Sequence, residues 1–268
     1  MSDKIYAPAM AAVLMSLCSC EKELDFRYHD IEPIQVIEAQ LTQDGARVTL
    51  TRTTPMDEPM DRQPLTDAAV TIADLTDGTE TGLTPDCEGT FVSAAPGMEG
   101  HTYRLIVTMD GNTYTAESLM ERPSEITGVE FNWIKMPYDH VAVLQVSFLD
   151  ISPEPGNCYW VRLYRNGEAY MWAPVSDSSA SGDTIREVFM TTRMDLDQED
   201  EDTILRDGDV VTVTVAPVSK AFADYLQAIA SDSNGPCMFS GPLCLGYFLA
   251  APIASETIVF HPDEIPYY

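Results

Sequence analysis

The sequence predicts an all-β protein: an immunoglobulin-like β-sandwich followed by a second β-sandwich-like domain with one packed helix. Three observations carry this. Short stretches alternate polar and apolar residues with the two-residue period of a half-buried strand. Asp-Gly, Glu-Gly and Asn-Gly pairs punctuate them, and such pairs reach the positive-φ turns of hairpins. Only one stretch has the three-to-four-residue apolar spacing of a helix that buries one face.

The first strand is Val36 to Leu41, and Asp44-Gly45 turns it into Arg47 to Thr51. Ala69 to Asp74 follows, closed by Asp77-Gly78, and then Phe91-Val92 after Glu88-Gly89. Thr102 to Thr108 puts Tyr103, Leu105 and Val107 on one face, and Asp110-Gly111 turns it into Thr113 to Ala116. Arg122-Pro123 reads as a domain boundary. Strands resume at Ile126 to Ile134 and at Val141 to Phe148, whose Ala142, Leu144, Val146 and Phe148 share a face. Cys158 to Tyr164 ends at the hairpin signal Asn166-Gly167, and Ile185 to Thr192 and Val210 to Ala216 come later. Ser219 can cap a helix over 219–232, with Phe222, Tyr225, Leu226 and Ile229 on its apolar stripe and Asn234-Gly235-Pro236 as its stop. Leu243 to Phe248 and Thr257 to Phe260 read as closing strands of the second domain. A chain of 268 residues is long enough for one large domain or two ordinary ones of about 150 residues each. The expected division is a leader over 1–19, a tether over 20–30, the first sandwich over 31–122 and the second domain over 123–268.

The leader reads MSDKIYAPAMAAVLMSLCSC. Lys4 is its positive end, and Ala7 to Leu17 has the length of an export-signal core, too short to span a bilayer. Leu17 stands three residues before Cys20, with small Ser19 between, which resembles the lipobox of bacterial lipoproteins. The resemblance implies that Cys20 is the lipidated residue, that Cys18 leaves with the leader, and that outer-membrane lipid is a partner through the acyl chains. The charged stretch Glu21-Lys22-Glu23 also resembles the signal that sends Bacteroidota lipoproteins to the cell surface. Four Cys then remain: Cys87, Cys158, Cys237 and Cys244. Export permits disulfides. Cys237 and Cys244, which flank Gly241-Pro242, are the nearest possible pair, whereas Cys87 and Cys158 read as buried thiols.

Composition excludes several functions. Lys and Arg number 15 against 43 Asp and Glu, a formal net charge of -28, which excludes nucleic acid held through a basic phosphate-binding surface. No G-x-S-x-G elbow, S-x-x-K, H-E-x-x-H, P-loop or G-x-G-x-x-G occurs. His29, His101, His140 and His261 form no metal-spaced pair, and there is no CxxC. The sequence therefore points to no catalytic residue, metal site or cofactor, and to a protein that is not an enzyme. The acidic run Asp195 to Asp202 begins like a calcium loop but lacks its Gly and late Glu, so it reads as a solvated hairpin tip. Among the aromatics, Tyr159, Trp160 and Tyr164 read as core, and Trp172 as exposed to a sugar or protein partner.

Taken in order, these pieces resemble the Bacteroidota lipoproteins grouped as domain-of-unknown-function family 4249. The resemblance rests on Cys20 with Glu21-Lys22-Glu23, Pro64 to Ile72, Gly89-Thr90-Phe91, Gly100 to Leu105, Gly111 to Ala116, Pro123 with Ile126 to Phe131, and Gly246-Tyr247-Phe248. The stretch 237–244 departs from the pattern. The resemblance implies an outer-membrane accessory protein working beside a TonB-dependent receptor in nutrient uptake, with Cys20 the one residue that carries over. An adhesin or fimbria-like structural subunit and a surface glycan hydrolase are the alternatives.

Overall fold

The computed structural model describes residues 32–54, 63–137, 140–177, 184–193 and 204–266. The leader, Cys20 and the tether lie outside the described residues, as does the acidic run 195–202. Residues from Pro33 onward form one compact unit. The all-β expectation holds: the unit is two β-sandwiches with one helix, and the first sandwich is immunoglobulin-like.

The first half of the chain carries β1 (Gln35–Thr42), β2 (Gly45–Arg52), β3 (Gln63–Pro64), β4 (Ala68–Asp74), β5 (Thr79–Gly82), β6 (Thr84–Cys87), β7 (Thr90–Ser93), β8 (Thr102–Met109) and β9 (Asn112–Leu119). The second carries β10 (Ile126–Lys135), β11 (His140–Leu149), β12 (Cys158–Arg165), β13 (Glu168–Ser176), β14 (Thr184–Arg193), β15 (Val210–Val218), α1 (Lys220–Ala230), β16 (Cys244–Ala250) and β17 (Ala254–Val259). In the first sandwich, a sheet of order β16-β1-β2-β7-β6, with β3 on β2, faces β5-β4-β8-β9. In the second, β10-β11-β14 faces β13-β12-β15-β17.

The hairpins form where the turn residues ask for them. Asp110 (φ 53°) and Gly111 (φ 74°), like Asn166 (φ 52°) and Gly167 (φ 90°), take the paired left-handed conformation of a tight hairpin turn. Alternation sets the faces: Tyr103, Leu105 and Val107 are buried in the first core, and Ala142, Leu144, Val146 and Phe148 in the second. The strands β5, β6 and β13 were not expected. β5 (TETG) and β6 (TPDC) carry almost no apolar residue, and β13 contains Pro174, so hydrophobic period cannot find them.

The division at 122/123 needs one correction. β16 does not close the second domain. It returns to the first sandwich and pairs in parallel with β1, from Gln35 opposite Cys244 to Leu41 opposite Ala250. Phe248 and Ala250 share a core with Ile37, Leu50 and Leu105. A parallel neighbour needs a long crossover, and here everything from β2 to α1 lies between the two strands. β17 then rejoins the second sandwich beside β15.

β16 also joins the two sandwiches. Its Leu249 packs with Trp160 and Val218 of the second sandwich and with Phe222 and Leu226 of α1. Ser219 caps α1 as expected, its Oγ accepting the Phe222 N–H at 3.2 Å. The buried face is displaced from the expected stripe: Ile229 is 50% exposed, and Ala223 and Ala228 are buried instead. Gly235 explains part of this, because it lets the following chain pass close against Ala228, within 2.9 Å of where a side chain would start.

Candidate functional site

β4 and β8 position a buried polar cluster. They pair antiparallel, with Asp74 opposite Tyr103. Val70 and Ile72 turn into the core, so Asp74, at the end of the same strand, is buried as well, at 8% exposure. A buried carboxylate must find donors. Its Oδ1 accepts the N–H groups of Thr76 at 2.9 Å and Asp77 at 3.1 Å, which folds the β4–β5 turn around it. Its Oδ2 lies 2.7 Å from His101 Nδ1. His101 stands one residue before β8, and its ring stacks beside Tyr103 with centroids 6.3 Å apart. The Tyr103 hydroxyl accepts the Met98 N–H at 2.8 Å. The exposed carboxylate of Asp77 approaches the same imidazole nitrogen at 3.9 Å.

The electrostatics follow from these contacts. Burial alone would raise the Asp74 pKa, but the His101 hydrogen bond and the N–H groups of Asp77 and Thr76 outweigh it and hold the carboxyl below its ordinary value. The hydrogen bond to Asp74 raises His101 above its ordinary value, against a smaller opposing effect of burial. Burial raises Tyr103, so its hydroxyl stays protonated at neutral pH.

A cavity of about 170 Å³ opens beside this cluster. Asp74, Asp77, Ser93 and Tyr103 line it together with Leu41 and Leu83. Drug-sized ligands occupy about 300–1,000 Å³, so the space suits a small molecule or a hydrated ion. Its fixed charge is negative. Among the described residues no Ser or Cys hydrogen-bonds to His101, so no nucleophile–imidazole pair is assembled here. The arrangement can hold a cation or a small polar ligand.

Sequence reasoning missed this cluster. Asp77 entered only as half of a turn signal and His101 only as one of four scattered His. Twenty-seven positions separate Asp74 from His101, and no local spacing connects them. Of the residues that the sequence did single out, Cys20 lies outside the described residues. The expected Cys237–Cys244 bridge is not formed, and both are free thiols. Cys244 begins β16 and turns into the first core, whereas the exposed Cys237 thiol donates to the Phe239 carbonyl. Cys87, expected inside, is exposed on β6, and Cys158 is buried as expected. Burial pushes the Cys244 thiol up to about 11. A thiol reagent applied to the native chain should therefore modify Cys87 and Cys237 and leave Cys158 and Cys244 until denaturant is added, as peptide mapping will show.

The aromatics divide as expected at most positions. Tyr159 and Trp160 are buried, and Trp172, on β13, is 38% exposed. Trp160, Phe222, Tyr225 and Tyr247 pack together in tilted and edge-to-face pairs at the junction of the sandwiches. The Arg162 guanidinium lies 4.2 Å from the centre of the Trp160 ring. These rings hold the body together and do not form an open sugar platform.

No family model and no curated protein matches the chain. Solved structures similar to it include a two-domain fibronectin type III segment of chicken tenascin, at 11% identity over 85% of this chain and 100% of that one, with a TM-score of 0.26. Three fibronectin type III domains of chicken CNTN1 match at 12% identity over 79% of this chain and 67% of that one, with a TM-score of 0.27. Dimeric latent PorU from Porphyromonas gingivalis matches at 13% identity over 85% of this chain and 20% of that one, with a TM-score of 0.23. At these scores the likeness carries no argument about function.

Proposed function

We propose that this protein is a lipid-anchored, non-catalytic binding protein of the outer membrane that serves a TonB-dependent receptor in nutrient uptake. The observation that carries the binding part is the small anionic cavity in the first sandwich beside Asp74, Asp77 and His101. The lipobox-like Leu17-Cys18-Ser19-Cys20 supports the anchoring part. One acyl chain holds a protein on a bilayer only marginally, and two or three hold it stably. Attachment raises the concentration of the body near a membrane partner without any new contact. Among the described residues no helix is long and apolar enough to cross a membrane, so on this reading the anchor is the lipid.

The test is done on the native lipoprotein. Mass spectrometry is expected to find Cys20 as the acylated first residue, and Cys20→Ala should move the protein from the membrane to the soluble fraction. Affinity purification through the native protein should recover a TonB-dependent receptor. A retained leader with a free Cys20 thiol overturns the anchor, and recovery of abundant porins alone overturns the partnership.

A further inference from the structure

We propose that Asp74, Asp77 and His101 bind one divalent transition-metal ion at the mouth of the first-sandwich cavity. One ligand atom from each of the three residues can be chosen so that all lie within 4.8 Å of one another. In a tetrahedral site with bonds of about 2.0–2.2 Å, neighbouring ligand atoms stand about 3.3–3.6 Å apart. The observed separations bracket this, at 2.7 Å from Asp74 Oδ2 to His101 Nδ1 and 3.9 Å from His101 Nδ1 to Asp77 Oδ2. The ion displaces the proton shared by His101 Nδ1 and Asp74 Oδ2, which is released to solvent, and small side-chain rotations then bring the set to bonding geometry.

Two of the three ligands are already held. The Thr76 and Asp77 N–H groups fix Asp74 through Oδ1, which leaves Oδ2 directed at the imidazole. Tyr103 stacks beside the His101 ring, and the Met98 N–H fixes the Tyr103 hydroxyl in turn. Such outer contacts orient metal ligands and tune affinity. The third ligand, Asp77, sits on an exposed turn with 56% of its side chain accessible, so it can close over an arriving ion.

The cavity is an independent observation. Asp74 and Asp77 line it, so coordination positions that the protein leaves open face a space of about 170 Å³ rather than packed side chains. Water or a small chelating molecule can occupy them. The donor chemistry selects the ion. Imidazole with two carboxylates suits Zn²⁺, Ni²⁺, Co²⁺ or Mn²⁺, whereas Ca²⁺ takes six to eight oxygens and Cu⁺ prefers sulfur. As a statement about cargo this rests on the uptake reading above. As a statement about binding it stands on the geometry alone.

The probe is ZnCl2, titrated by calorimetry into the mature full-length chain after chelator treatment and with its thiols blocked. One ion per chain is expected. Asp77→Asn is expected to weaken binding by about tenfold or more with an unchanged melting temperature, since Asp77 is exposed. His101→Ala is expected to abolish the saturable heat. Co²⁺ in place of Zn²⁺ should give a visible spectrum of nitrogen and oxygen ligation without a thiolate band. The absence of a saturable one-to-one event in the wild type overturns the proposal. So does an affinity that neither substitution changes, because the ion then sits elsewhere. A wild type that binds zinc but recovers no receptor retains the metal site and removes the uptake reading.

Discussion

Gly246→Ala is expected to lower the unfolding free energy by about 3 kcal/mol or more. Gly246 lies within β16 at φ +103°, which only glycine adopts freely. A Cβ there would stand 2.0 Å from the Ile37 carbonyl oxygen, 2.7 Å from its carbon and 2.9 Å from the Ile37 nitrogen. All three are backbone atoms of β1, which is itself held on its other side by β2. β1 cannot retreat, so β16 must move away and take Phe248 partly out of the core. Gly78→Ala is the control. It too has positive φ, at +71°, but nothing lies within 4 Å of the new carbon, and its cost is expected at about 1 kcal/mol. Denaturant unfolding followed by circular dichroism and tryptophan fluorescence reads both. Equal costs for the two substitutions would contradict the close parallel pairing of β1 and β16.

The second large effect concerns the fragment 31–122, the piece that a sequence-based boundary would select as an independent domain. It is expected to remain unfolded or to aggregate. Without β16, seven residue pairs of the parallel ladder are lost, and the core loses Phe239, Phe248 and Ala250. Truncating one buried Phe costs about 3–5 kcal/mol, set against about 5–15 kcal/mol for the stability of a whole domain. The loss also leaves β1 as a bare apolar edge, the kind that pairs with other chains. Circular dichroism and dye binding to exposed apolar surface will report the state. Adding a peptide of residues 236–252 in excess should restore a native-like spectrum. A monomeric, cooperatively melting fragment without the peptide would contradict this account.

The same strand shows where sequence reasoning stops. Alternation located most of the buried strands, from Ile37 and Leu105 to Leu144 and Val213, because a half-buried strand writes its period locally. Asp110-Gly111 and Asn166-Gly167 were legible because few residues reach left-handed turn geometry at low cost. Leu243 to Phe248 was legible as a strand, but its partner was not: an apolar run has no mark that distinguishes one sheet from another. β5 and β6 were illegible for the opposite reason, since exposed polar edges bury too little to leave a pattern. The Asp74–His101 contact was illegible in any local window. Two adjacent strands bring those residues together across twenty-seven positions, and polar residues at strand ends carry no periodicity.

The place of β1 has a mechanical consequence. It is the first strand of the body, yet it lies inside its sheet with β16 on one flank and β2 on the other. A pull on the chain entering at Gln35 runs along the strand and loads both ladders in shear. Their bonds then share the strain and must rupture as a group. A strand peeled from a sheet margin would instead unzip one bond at a time. Resistance to forced unfolding is a matter of rate, and this arrangement slows it for a body dragged by its leading end.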